Sequence, residues 1–445
     1  MNRLPGPRDP LTMARIGTAI LRQPYSALPL LRERYGPLSV VGYGPTRYVY
    51  MLGREENEFV LSTGSSHFTW REVFEPLIGL VDGTTALVVS DGEDHQRRRR
   101  LVQPAFHLQR VNGYLDVILD GLDATIDGWS PGSVVDVWSE FRAAVRRIVS
   151  RALFGREVAE AADALGSHLQ PVLDFLNRPL RSQLHAGPGW RRAKRGRAAA
   201  DALLYAEIAR RRVAPPAEEA RDMLDELLAA EDADGGRLSD EEVADQVRSL
   251  IAAGYDTTSA TIGWAVWALL AHPGAAAPVR AEVAAVLEDR PLRAEDVAQL
   301  KALDRFVSEV LRLWGAAVVG VRYAATDFEL RGYRVGAGSR VIYSPYVTHR
   351  LPELWPEPLA FDPDRWLAED VAPPYSYVPF GGGSRRCIGF ALALLEIKAA
   401  LVAVIQRAQL SLVPGQRIEP AGLTAMYPRF GVRVVTESVG PRTSR

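Results

Sequence analysis

The stretch from Phe380 to Gly389 reads F-G-G-G-S-R-R-C-I-G and holds Cys387, the only cysteine in a chain of 445 residues. Three consecutive glycines let the backbone turn tightly and approach a flat ligand closely. The apolar run from Ile388 to Val404 then reads as a helix, so Cys387 falls at or just before a helix N-terminus. Unsatisfied N–H groups and the positive end of the helix dipole favour an anion there, and the thiol is expected to ionise more readily than a free one. A thiolate so placed can ligate iron. A plainer reading stays open on this stretch alone, in which the cysteine is a small buried hydrophobe beside a turn that holds an anion. No Lys-Ser or Lys-Thr pair follows the glycines, which argues against a nucleotide-binding loop.

Bulk properties narrow the class. A formal net charge of −1 gives no sign of a nucleic-acid partner, and 24% charged with 47% hydrophobic residues describes an ordinary soluble globular protein with a sizeable core. One cysteine excludes an intramolecular disulfide, in keeping with a reducing cytoplasm. Arg15, Arg22, Gln23 and Pro24 interrupt every apolar run near the start, so neither a signal sequence nor an N-terminal membrane anchor is expected.

Along the chain, Pro5, Pro7, Pro10 and Pro24 suggest an extended leader lying against the body, and Leu28 to Tyr35 a short helix, together filling residues 1–36. Leu38 to Tyr43 and Thr46 to Leu52 read as a hairpin around Gly44-Pro45. Val111 to Ala230 is almost wholly helical, with turns at 129–132 and 187–189. Its basic cluster Arg191, Arg192, Lys194, Arg195 and Arg197 reads as a solvated helix face. Val318 to Tyr343 alternates as short paired strands. The sum is a mainly α chain with a small β region.

Ser239-Asp240-Glu241-Glu242 is a capping box, and the helix it opens (239–272) can run to His272 before Pro273-Gly274 stops it. Its length would be roughly 50 Å. Leu250 to Ala271 carries a single charge, Asp256, in twenty-two residues. An acid and three threonines near its middle favour a buried central helix over a membrane span. At that middle stands A-A-G-Y-D-T-T, Ala252 to Thr258, in which Gly254 permits close approach and Asp256 and Thr257 set an acid beside an alcohol. The plainer account has Thr257 bonding back to a carbonyl and Asp256 paired elsewhere. Earlier, Asp91 to Arg100 reads D-G-E-D-H-Q-R-R-R-R on a short helix broken near Pro104, with His95 and Arg99 four apart on one face. A solvated basic face is its plainer reading. Glu309 and Arg312, three apart on a helix ending near Trp314-Gly315, read by default as a weak surface salt bridge.

The spacing Phe380, Gly383, Arg385, Cys387, Gly389 resembles the haem-binding loop of the cytochrome P450 family, and the other elements follow in that family's order. His95/Arg99 resembles its propionate-binding pair, Asp256-Thr257 its oxygen-binding groove, and Glu309-x-x-Arg312 with Pro363-Asp364-Arg365-Trp366 its buried structural triad. The resemblance implies one P450 domain over 1–445, helical and triangular, enclosing haem b (iron protoporphyrin IX) between the 239–272 helix and the cysteine loop and helix at 380–404. Cys387 would be the metal ligand. His95, Arg99, Arg322 and Arg385 would meet the propionates, with His349 a less distinctive candidate, and Phe380, Gly383, Gly389 and Gly254 would shape the cofactor site. Asp256 and Thr257 would be the catalytic pair delivering protons to dioxygen. Ala252, Ala253, Ala316, Val318 and Val319 would wall the substrate pocket, and Glu309, Arg312 and Arg365 would brace the fold.

The function so implied is insertion of one oxygen atom from O2 into an apolar small molecule, a terpenoid, polyketide, steroid or fatty acid, by a cytoplasmic monomer. Because no flavin or iron–sulfur motif occurs, electrons would come from a separate ferredoxin and ferredoxin reductase, steered by a basic face including Arg97, Arg98 or Arg386. Oxidative coupling, desaturation, peroxide-driven oxidation and a non-enzymatic haem sensor or carrier remain alternatives. Two features depart from the family pattern. Trp314-Gly315-Ala316-Ala317 stands where prolines usually follow the Glu-x-x-Arg motif, and Tyr255 is bulkier than many residues at its position, with its ring expected to face away from haem.

Overall fold

The structure, a computed structural model, describes residues 3–44, 47–78, 83–154, 159–176, 187–213, 222–368, 370–423 and 425–442. The helices that position the site are α1 (Pro10–Arg22), α2 (Pro24–Tyr35), α3 (Gly92–Val102), α4 (Val137–Phe154), α5 (Ala159–Leu176), α6 (Pro188–Val213), α7 (Asp240–Ala271), α8 (Lys301–Trp314) and α9 (Phe390–Arg407). The main strands are β1 (Leu38–Val41), β2 (Tyr48–Met51), β3 (Phe68–Thr69), β4 (Val134–Asp136), β5 (Gly320–Ala324), β6 (Phe328–Leu330), β7 (Tyr333–Val335), β8 (Arg340–Tyr343), β9 (Ala408–Leu412) and β10 (Arg433–Val439). The fold is mainly helical with small sheets, as expected.

The N-terminal leader is not extended. Asp9 caps α1 by accepting from the Thr12 N–H at 2.8 Å, and Pro10 and Pro24 occupy the first positions of α1 and α2. A proline there loses no helical hydrogen bond and brings a φ already suited to a helix, so these prolines start helices where they were read as preventing them. Both helices bury their apolar sides, through Met13 and Ile20 in α1 and Leu28 and Leu31 in α2.

The expected hairpin is antiparallel, pairing Leu38 with Met51 and Val41 with Tyr48, while Pro45 and Thr46 at its tip lie outside the described residues. It joins a five-stranded sheet of order β1-β2-β8-β5-β3, in which only β2 and β8 run parallel. The turn read at 187–189 is shorter than expected, because Pro188 already begins α6. On that helix Arg191, Arg192, Lys194 and Arg195 are exposed, whereas Arg197 pairs with Asp201 at 3.0 Å.

Helix α7 organises the interior. Its capping box is complete: the Glu242 N–H donates to Ser239 Oγ at 3.2 Å, and the Ser239 N–H donates to Glu242 Oε2 at 3.0 Å. The 32 residues that follow are buried over most of their length between α4, α8 and α9, which explains the apolar stretch by packing. Among the described residues no single helix is long and apolar enough to cross a membrane.

Candidate active site

The cysteine loop is held by its own backbone and by a neighbour. The Cys387 N–H donates to the Phe380 carbonyl at 2.9 Å, closing the loop, and Gly389 caps α9. Gly381 and Gly383 have φ of +68° and +61°, in the left-handed region that favours glycine. A side chain at Gly383 would also overlap the Leu61 carbonyl oxygen, so the close approach at this glycine is to protein backbone. Gly389 has no such need, since a Cβ there would meet only Phe106, at 3.6 Å.

Cys387 remains exposed although protein crowds it. Burial pushes its thiol up, against the opposing pull of the nearby Gly389 N–H and the charges of Arg99 and Arg386. The expected easier ionisation therefore does not arise from the protein alone, because desolvation outweighs the helix terminus and the cations. Those same groups supply what a thiolate needs once a metal cation compensates its charge.

The predicted cations converge beside this loop. Arg99 donates to the Arg386 carbonyl at 2.8 Å, which sets it next to the cysteine. Arg385 donates to the Ser90 carbonyl at 2.7 Å and pairs with Asp91 at 2.6 Å. Arg322 is buried, stacks 3.7 Å over the Trp70 ring, and donates to the Val321 carbonyl at 2.8 Å, with no ion pair among the described residues. Burial lowers the pKa of all three, that of Arg385 to about 10, with Arg322 and Arg99 adding repulsion there. His95, also buried, is pushed down to about 4 by burial and by Arg385 and Arg99, so its ring is neutral at pH 7. Trp70 and Asp91 complete this cluster and were not picked out from sequence. Asp91 stood in the quoted basic stretch, but its contacts, including the Trp70 N–H at 3.0 Å, depend on the fold.

On α7 the acid and alcohol take different faces. The Asp256 carboxylate turns to α4 and pairs with Arg142 Nε at 2.9 Å, while Thr257 Oγ1 donates back to the Ala253 carbonyl at 2.7 Å. Thr258 faces α9 and touches Glu396, a buried carboxyl that desolvation raises to about 8. Gly254 corrects an expectation: its missing Cβ points at Val149 of α4, at 3.7 Å, and not toward a cofactor.

The brace is buried as expected. Glu309 accepts from Arg312 at 2.8 and 2.9 Å, Arg365 at 3.0 Å and, unforeseen, Trp366 Nε1 at 3.0 Å. Burial raises the Glu309 pKa, but the Arg312 bonds overcome it and the net shift is down. His349 belongs to this brace and not to the cation cluster: its Nε2 accepts from the Val378 N–H at 2.9 Å, and its Nδ1 lies 3.2 Å from the Arg312 carbonyl. Two further expectations fail. Val318 is fully buried in the core, its carbonyl taken by Ser344 Oγ at 2.7 Å, so it walls no pocket. Arg97 and Arg98 are not a free basic face, because Glu242 accepts from both at 3.0 Å and Asp232 from Arg97 at 3.1 Å. Ala252 packs against the cluster of Val172, Phe175 and Ala193 contributed by α5 and α6, whereas Ala253 is exposed and Ala316 and Val319 are half-buried.

A profile of the cytochrome P450 family matches residues 5–428. The chain belongs to the cytochrome P450 family. It is 42% identical to a putative cytochrome P450 139 of Mycobacterium bovis, over 93% of this chain and 97% of that one. It is 33% identical to cyclooctat-9-en-7-ol 5-monooxygenase of Streptomyces melanosporofaciens, over 89% and 87% respectively. Among solved structures, a cyanobacterial P450 with bound retinoic acid superposes with a TM-score of 0.84 at 26% identity, covering 95% of this chain and 96% of that one. The protein is thus a P450 monooxygenase, an oxidoreductase, and its family implies a haem-iron cofactor, dioxygen and a redox partner. The residues present fit a haem. An exposed sulfur lies beside the Gly389 N–H and Arg99, and of three desolvated guanidiniums only Arg385 is paired with a carboxylate among the described residues, an excess of positive charge that suits two propionates.

Proposed function

We propose that this P450 holds haem b through Cys387 and oxidises a terpenoid-like apolar alcohol or hydrocarbon, drawing electrons from a ferredoxin and its reductase. When bound, the haem would supply oxygen activation, with thiolate ligation favouring O–O cleavage. The protein's part is to hold and neutralise. Gly389 N–H and Arg99 would stabilise the sulfur's negative charge. Arg99, Arg322 and Arg385 would bind the propionates, with neutral His95 donating a hydrogen bond. Asp256, mostly buried beside Arg142, would take protons from water, and Thr257 would present a hydroxyl on the neighbouring face.

The single observation that carries this reading is the exposed sulfur of Cys387 at the start of α9 beside that cation cluster. The substrate class rests on the Streptomyces relative. The partner face would be built on exposed Arg386, whose guanidinium lies 4.1 Å over the Phe390 ring, since Arg97 and Arg98 are internally paired. Incubation with a surrogate ferredoxin and reductase, cyclooctat-9-en-7-ol and isotopic dioxygen tests the reading. It predicts one labelled oxygen in the product, and turnover without labelled oxygen would refute oxygen insertion.

A further inference from the structure

Asp91 brings a carboxylate into the cation cluster and gives up an ordinary role to do so. It stands at the N-cap of α3, where an aspartate usually accepts from the first N–H groups of its helix, yet its side chain makes no capping bond. The carboxylate turns instead to Trp70 and Arg71, whose N–H groups each donate to it at 3.0 Å, and to Arg385 at 2.6 Å. Trp70 in turn carries two cations, with the Arg322 guanidinium 3.7 Å over its ring and that of Arg385 at 5.2 Å. Phe74 backs the indole, its ring 5.6 Å away and tilted by 11°. One carboxylate thus fixes a backbone segment, an aromatic platform and a guanidinium.

The charges of the site fit this placement. Arg99, Arg322 and Arg385 are the cations, His95 is neutral at pH 7, and Asp91 is the anion that both Arg385 and Arg322 feel. Three guanidiniums less one carboxylate leave two positive charges, the number that two propionates neutralise. With side-chain exposures of 20% for Asp91 and 16% for Arg385, solvent screens this balance only in part. We propose that Asp91 is a positioning residue that holds Arg385 in place and sets the net charge of the propionate site, so keeping the haem reduction potential low. Without its charge the loaded site would be left positive, and a positive site favours the ferrous state, which carries one electron more.

The inference rests on the reading of Cys387 and the cation cluster as the haem site, and the carbon monoxide band of the reduced wild type checks that premise separately. Asp91→Asn removes the charge while its amide oxygen can still accept from Trp70 and Arg71, Asp91→Glu keeps the charge, and Arg385→Leu removes the opposing cation. Spectroelectrochemical titration of each holoenzyme reads the ferrous-to-ferric ratio at a fixed applied potential. Asp91→Asn should raise it about tenfold, the scale of one unit charge roughly 10 Å away at an effective dielectric near 20. Arg385→Leu should lower it by a similar factor, and the double variant should return to within about threefold of wild type, because the two changes cancel in charge. Asp91→Glu should stay within the same range. Should Asp91→Asn fail to retain haem, the double variant should regain it. An Asp91→Asn ratio within about twofold of wild type, a double variant displaced further than either single one, or loss of haem from both would overturn the charge role. Each of these can occur with the wild-type carbon monoxide band intact, which leaves the P450 reading in place.

Discussion

Replacing Glu309 by Gln keeps the volume of the side chain and removes the carboxylate that Arg312 and Arg365 share in the brace behind the cysteine loop. In the folded protein Glu309 is fully buried and accepts from Arg312, Arg365, Trp366 and the Asp362 N–H, all between 2.8 and 3.0 Å. Gln cannot accept at both ends, and two guanidiniums lose their counter-charge. Removing one partner of a buried pair costs about 3–5 kcal/mol. Arg312 keeps the carbonyls of His349, Pro358 and Ala360 at 2.7 to 3.0 Å, which places the expected loss near the lower end, ~3 kcal/mol. Arg365→Leu should cost less, about 1–2 kcal/mol, because Glu309 and Arg312 still neutralise one another. Urea unfolding of the holoenzyme followed by the Soret band measures both. A Glu309→Gln variant within about 1 kcal/mol of wild type, or a larger loss for Arg365→Leu, would refute the charge argument. Since the folded Glu309 pKa lies below its unfolded 4.5, the contribution is complete above pH 4.5 and is lost as pH falls below it.

Other consequences follow from single contacts. Gly383→Ala, with a left-handed backbone and a Cβ that meets the Leu61 carbonyl, should cost more than about 2 kcal/mol and release haem, whereas Gly389→Ala should stay within about 1 kcal/mol. Thermal melts with haem-retention assays separate the two, and equal losses would contradict the assignment. His349 is held neutral, its pKa pushed down by burial from 6.5 to about 3. Its unfolded form binds a proton that the fold refuses, so stability should fall by about 1.4 kcal/mol per pH unit from pH 6.5 toward 3. In His349→Gln that part of the slope should vanish from acid-unfolding curves, and an unchanged slope would show that another group carries it.

What could be read from sequence was what local chemistry decides. The capping box at Ser239 and the paired strands between Gly320 and Tyr343 depend on neighbours in the chain, and both formed as expected. Glu309, Arg312 and Arg365 were legible through the family pattern, but Trp366, one residue further, was not recognised as a fourth donor. The failures are tertiary. Arg97 and Arg98 looked solvated because Glu242 and Asp232 lie more than a hundred residues away in sequence. Arg142, which holds the acid of the oxygen groove, gave no sign among the several arginines of α4, since only the crossing of α4 and α7 selects it. Pro10 and Pro24 hid the helices they begin because proline, costly in a helix interior, suits its first turn.

The most direct measurement is the carbon monoxide difference spectrum of the reduced protein, recorded for wild type and Cys387→Ser after equal haem loading. Thiolate ligation by Cys387 predicts the red-shifted band in wild type and its loss in the variant. A wild type without that band, or a Cys387→Ser protein that retains it, would contradict the assignment.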